Sequence, residues 1–79
     1  MNVTTEEIRS IKPGTMKAFV CEDSPALYTA SALVSRLKRL GLPDGVANYE
    51  TQKFFAEKPN EHVILIRAMR EGDEPILNR

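Results

Sequence analysis

The sequence predicts a small α+β fold, a short N-terminal helix followed by a β-α-β-β core in which one long helix packs across a three-stranded, mainly antiparallel sheet. Three observations carry this. One stretch of apolar residues recurs at helical spacing from Ala26 to Leu40, three stretches suit a pleat, and the last two of those are joined by a link too short for anything but a hairpin. With 79 residues, the chain has material for one hydrophobic core and not two. Residues 1–79 are therefore read as one domain: an N-terminal helix within 1–12, the core over 15–70 and a polar tail over 71–79.

The first element starts at Thr4, which stands three residues before Glu7 in capping-box spacing, with Glu6 and Glu7 favourably placed in the first turn. Its helix is expected to run to about Ile11. Pro13 disfavours helical geometry at Lys12, and Pro13-Gly14 is a turn dipeptide.

The first strand is predicted over Thr15 to Cys21, with Met16, Ala18 and Val20 on one side and Lys17, Phe19 and Cys21 on the other. Glu22-Asp23-Ser24-Pro25 then starts the main helix, with Ser24 as the expected cap and Pro25 tolerated in the first turn. Along it Ala26, Leu27, Ala30, Leu33, Val34, Leu37 and Leu40 form the expected core side. Tyr28, Ser31, Ser35, Arg36, Lys38 and Arg39 form the other. Gly41 ends the helix and Pro43 follows.

The second strand is predicted from Val46 to Phe55, with Tyr49, Thr51 and Phe55 on one face and Phe54 on the other. After the loop Glu57 to Glu61, the third strand runs from His62 to Arg70. In its first half Val63 and Leu65 alternate with Ile64 and Ile66, so both faces are apolar. One helix covers one face. The other must be closed by the N-terminal helix, by the tail residues Ile76 and Leu77, or by another molecule.

Composition narrows the function classes. Eleven basic residues balance eleven acidic ones, so no global field draws the chain to nucleic acid or an anionic membrane. At 42% apolar and 28% charged residues, the composition is that of a folded protein. Cys21 is the lone cysteine, which excludes an internal disulfide and fits a cytoplasmic setting. No segment reads as a signal peptide or a membrane span.

Chemistry-bearing constellations are sparse. Cys21 and the only histidine, His62, would be neighbours if the first and last strands pair, but no oxyanion or orienting motif accompanies them. The acidic groups Glu22-Asp23 and Glu71, Asp73, Glu74 lack ligand-loop spacing, and the four glycines form no phosphate cradle. A non-enzymatic protein without metal or cofactor is expected.

Two surfaces remain. The exposed side of the long helix carries Arg36, Lys38 and Arg39 with no acidic residue between Ser24 and Pro43. Tyr28 and Ser35 lie alongside, a set that can contact the phosphates of DNA or RNA. Lys17, Lys53, Arg67 and Arg70 on the strands could extend that patch. The simpler reading is a solvated face whose charges suit the helix dipole. Nucleic-acid contact through this helix face is the leading functional expectation; the alternative is the second surface, the spare sheet face with Val63, Leu65 and Phe54, which suits a homodimer or an adaptor.

Pro13-Gly14 before Phe19, Ser31-Ala32 with Arg36, Lys38-Arg39 and Gly41, then Tyr49 and Thr51, and Val63 to Arg67 give the chain its profile. In these features it resembles a group of short bacterial and phage proteins without assigned activity. The resemblance implies the strand-helix-strand-strand core and an accessory, nucleic-acid-associated role on mobile elements.

Overall fold

The computed structural model describes residues 3–77. The fold is α+β, in the order α1 (Thr5–Arg9), β1 (Met16–Cys21), α2 (Ser24–Leu40), β2 (Asn48–Phe54) and β3 (His62–Met69). The parts of the predicted first helix and tail that fall on residues 1, 2, 78 and 79 lie outside the described residues.

The strands form one sheet in the order β1-β3-β2, with both flanking strands antiparallel to β3. β1 and β2 therefore run parallel to each other without touching. The connection through α2 crosses over β3 to join them. β1 aligns Cys21 with His62 and Met16 with Arg67, while β2 aligns Phe54 with Val63 and Asn48 with Met69.

The local signals explain the elements. Thr4 accepts from the Glu7 amide at 3.2 Å, and the Glu7 carboxylate accepts from the Thr4 amide at 3.1 Å, completing the capping box. α1 closes at the cap Ser10, short of the expected Ile11, which is nonetheless buried in the core. Gly14 holds φ at +84°, the left-handed geometry that the turn into β1 demands of a residue without Cβ. The cap of α2 is Asp23 and not Ser24: a carboxylate oxygen of Asp23 accepts from the Ala26 amide at 2.8 Å, and Ser24 is already helical.

One core lies between the sheet and the helices. Leu27, Ala30, Val34 and Leu37 of α2 pack with Phe19, Cys21, Tyr49, Ile64, Ile66 and Ala68 of the sheet, and Ile8 and Ile11 join the same cluster. Each large side chain so enclosed contributes about 1.5–3 kcal/mol over its exposed state. Leu40, expected in the core, is instead 73% exposed. It sits on the last turn of α2, three residues beyond Leu37, the last α2 residue that is buried.

Four strand boundaries also move, beginning with β1, which starts at Met16 and not Thr15. Val46 is buried but precedes β2, and Phe55 lies just past its end. β3 stops at Met69, because Arg70 enters a turn held by the Asp73 carboxylate, which accepts from the Arg70 amide at 2.7 Å.

Candidate functional site

Ile8 and Ile11 belong to the core that α2 shares with the sheet, so the N-terminal segment covers the same face as α2 and leaves the opposite face of the sheet open. Facing residues of an antiparallel pair project to the same side, which gives that open face three rows that span all three strands, with Asn48 and Met69 beyond them. The first is Val20, Val63 and Phe54; the second is Ala18, Leu65 and Gln52; the third is Met16, Arg67 and Glu50.

The third row is polar and closed. Arg67 Nη1 donates to Glu50 Oε1 at 3.0 Å and to the Glu74 carbonyl at 3.1 Å, while the Ile76 amide donates to both carboxylate oxygens of Glu50. The tail thus straps this end of the face. Asp73 adds a longer ion pair to Arg67 at 3.8 Å. Burial by itself would raise the Glu50 carboxyl pKa, but the Ile76 amide, the Arg67 guanidinium and the Leu77 amide outweigh it and hold it below the ordinary range.

The first two rows carry no charge and are apolar apart from Gln52. Val20 is 60% exposed and Phe54 45%, with Val63 and Leu65 half-buried between the flanking strands, and Met16 of the third row adjoins them at 47%. The structure therefore gathers the three residues Val63, Leu65 and Phe54 on one surface. Val20 and Met16, assigned to a strand side without a role from sequence, belong to it as well. The alternation of β1 with the register on β3 would have been the signal.

The helix set is exposed but divided. Tyr28, Ser35 and Arg39 follow one another at seven and four residues, along one stripe of α2. Tyr28 meets Phe55 with ring centroids 5.7 Å apart, which identifies that flank as the one nearer β2. Arg36 lies on the other flank, where it lines a groove with Thr5, Leu33, Leu37 and Leu40 beside α1. Lys38 continues the row of Leu27, Ser31 and Val34 that leads into the core. Among the strand cations expected to extend the patch, Arg67 is bound to Glu50 on the opposite face of the sheet. Arg70 pairs with Asp73 at 3.2 Å, and the Lys17 ammonium sits 5.2 Å from the centre of the Phe19 ring.

Cys21 and His62 do face one another across β1 and β3. Burial pushes the thiol pKa up, and the nearby Asp23 charge adds to it. His62 Nδ1 accepts the Ala56 amide at 3.1 Å, so that nitrogen is occupied. The pair has the proximity of a nucleophile and a base but not the activation such chemistry needs. Among the described residues no group of three metal-ligating side chains occurs, and no helix is long and apolar enough to cross a membrane.

Comparisons with protein-family models, with curated proteins and with solved structures found no match.

Proposed function

We propose that the protein is a small protein-interaction module whose contact surface is the open face of the sheet. The observation that supports it is the pair of uncharged rows, Val20–Val63–Phe54 and Ala18–Leu65, on the face that carries no helix. Apolar side chains gathered at a surface gain free energy on being covered, at roughly 25 cal/mol per Å². The polar end of the same face is already satisfied by Glu50, Arg67 and the tail, so an arriving partner has no bare charge to desolvate there.

The test is photo-crosslinking in living cells, with a photoreactive phenylalanine analogue placed at Phe54 in one protein and at Arg39 in another. Discrete protein adducts from position 54 and none from position 39 are expected. Adducts from position 39 alone would overturn the reading.

A second reading, an accessory nucleic-acid-associated protein, draws on a different observation. α2 has no acidic residue in its first turn and two basic residues in its last, and the exposed Tyr28 ring pairs with Phe55 at 5.7 Å. Arg36, Arg39 and Lys38 would meet phosphates, and Tyr28 could stack on a base. Titration of labelled DNA and RNA at rising salt tests it: binding that falls steeply with ionic strength supports it, and none at low salt removes it.

A further inference from the structure

The hydrogen bonds that hold the tail to the open face use its main chain. Arg67 Nη1 donates to the Glu74 carbonyl at 3.1 Å, and the two carboxylate oxygens of Glu50 accept from the Ile76 amide at 3.1 and 3.2 Å. The Leu77 amide bonds the same carboxylate. The side chains of Glu74, Pro75 and Ile76 stay in water, Ile76 at 62% exposure. The tail is therefore held as a peptide backbone and not as a packed part of the core.

Glu50 and Arg67 form the receiving half. Their side chains are 6% and 12% exposed and pair at 3.0 Å, so each orients the other. Together they offer a donor and an acceptor side by side, matched to one carbonyl and to the amides two and three residues later. Pro75 stands between those positions. It has no N–H to place, and it disfavours helical geometry at Glu74.

The strap has a hinge. The Asp73 carboxylate accepts from the Arg70 amide at 2.7 Å and from Arg70 Nε at 3.2 Å, which fixes the turn as far as residue 73. Beyond it, the freedom lost by ordering residues 74–77 opposes a few hydrogen bonds at the surface, so the closed and open tails lie close in free energy. From Arg67 of β3 to Glu50 of β2 the tail follows the third row, and it thus runs beside the second, Ala18–Leu65–Gln52.

We infer that Glu50 and Arg67 are a receptor for peptide main chain, that the tail is its intramolecular occupant, and that an extended segment of a partner protein replaces the tail when that protein docks on the open face. The exchange is like for like: one carbonyl and two amides leave, one carbonyl and two amides arrive, and neither charge is left bare. The tail competes at the effective concentration of a short tether, in the millimolar range, and the partner offsets this with its contacts on the uncharged rows. The partner as occupant rests on the interaction-module reading; the receptor does not.

The probe is the capped peptide Asp-Glu-Pro-Ile-Leu, the sequence of residues 73–77, titrated to about 20 mM into the isotope-labelled full chain and followed by NMR at Glu50 and Arg67. Ile76→Pro deletes the amide that Glu50 accepts and replaces an exposed side chain, so it should vacate the receptor and leave the fold intact. This variant should bind the peptide about tenfold more tightly than the wild type does. Ile76→Ala keeps the amide and should match the wild type. A peptide with Pro in place of Ile should bind neither protein, and adding Glu50→Gln to Ile76→Pro should weaken binding by about tenfold.

Hydrogen exchange reads the displacement directly: in the wild type the Ile76 amide should exchange faster as peptide is added, while the Ile66 amide stays constant. A merely structural brace would give no saturable shift in Ile76→Pro and no faster exchange at Ile76, and either result overturns the receptor. Crosslinks from position 54 with an undisplaced tail would remove the receptor and keep the interaction module. Peptide exchange without crosslinks from position 54 would support the receptor and remove the module.

Discussion

The Glu50 carboxylate and the Arg67 guanidinium meet at 3.0 Å on the open side of the sheet, and the same carboxylate takes the Ile76 amide at 3.1 and 3.2 Å. One side chain thereby ties β2 to β3 and anchors the tail to both. Glu50→Ala would strand a guanidinium that is only 12% exposed and release the strap. We expect a loss of about 2 kcal/mol, seen as a fall in Tm of about 10 °C. The carboxyl pKa is lowered in the fold, so its contribution is complete above the unfolded value, about pH 4.3, and is lost as pH falls through the folded value. Thermal melts below pH 5 should decline less steeply for Glu50→Gln than for the wild type; parallel curves would refute the linkage.

The cap of α2 distinguishes two adjacent residues of similar chemistry. Asp23→Ala removes the oxygen that accepts the Ala26 amide and should cost about 1 kcal/mol in denaturant titration. Ser24→Ala should change stability by no more than a few tenths of that. Equal effects at the two positions would contradict the cap.

Cys21 is 1% exposed, and burial raises its thiol pKa. Its reaction with a disulfide reagent should therefore run through opening of the β1–β3 pair, on the order of 100-fold or more slower than in the unfolded chain. A native rate equal to that of a free thiol would place the sulfur at the surface and revive a nucleophilic role.

The legible parts of this fold were the periodic ones. Helical spacing picked out Leu27, Ala30, Val34 and Leu37, and the two-sided apolar run at Val63 to Ile66 announced a central strand with a second face to cover. Spacing does not say where a helix outruns its sheet, so Leu40 was assigned to the core. Asp23 and Ser24 are both good caps one residue apart, and Pro25 fits the first turn after either. Arg67 read as one more cation because its partners lie far along the chain or beyond a turn: Glu50 is 17 residues away, and Asp73 follows the strand end. The open face was visible as a need in β3, but its width depended on the register that brings Val20 and Met16 beside it.

The central strand of the sheet is the last of the three along the chain. During synthesis neither β1 nor β2 has a hydrogen-bonding neighbour before His62, and the sheet is complete only once residue 69 has been made. At roughly 5–20 residues per second, β1 waits about 2–10 s after its own completion. Through that interval α2 can form by itself, but its apolar side has no sheet to rest on, and the sticky edge of β1 is bare along both margins. Ribosome-bound chains that end before His62 should be cut readily by protease, and those given a C-terminal extension long enough to bring Met69 out of the ribosome should resist. The nascent chain is thus most exposed to wrong partners just before it gains its structure, and chaperone dependence should concentrate there.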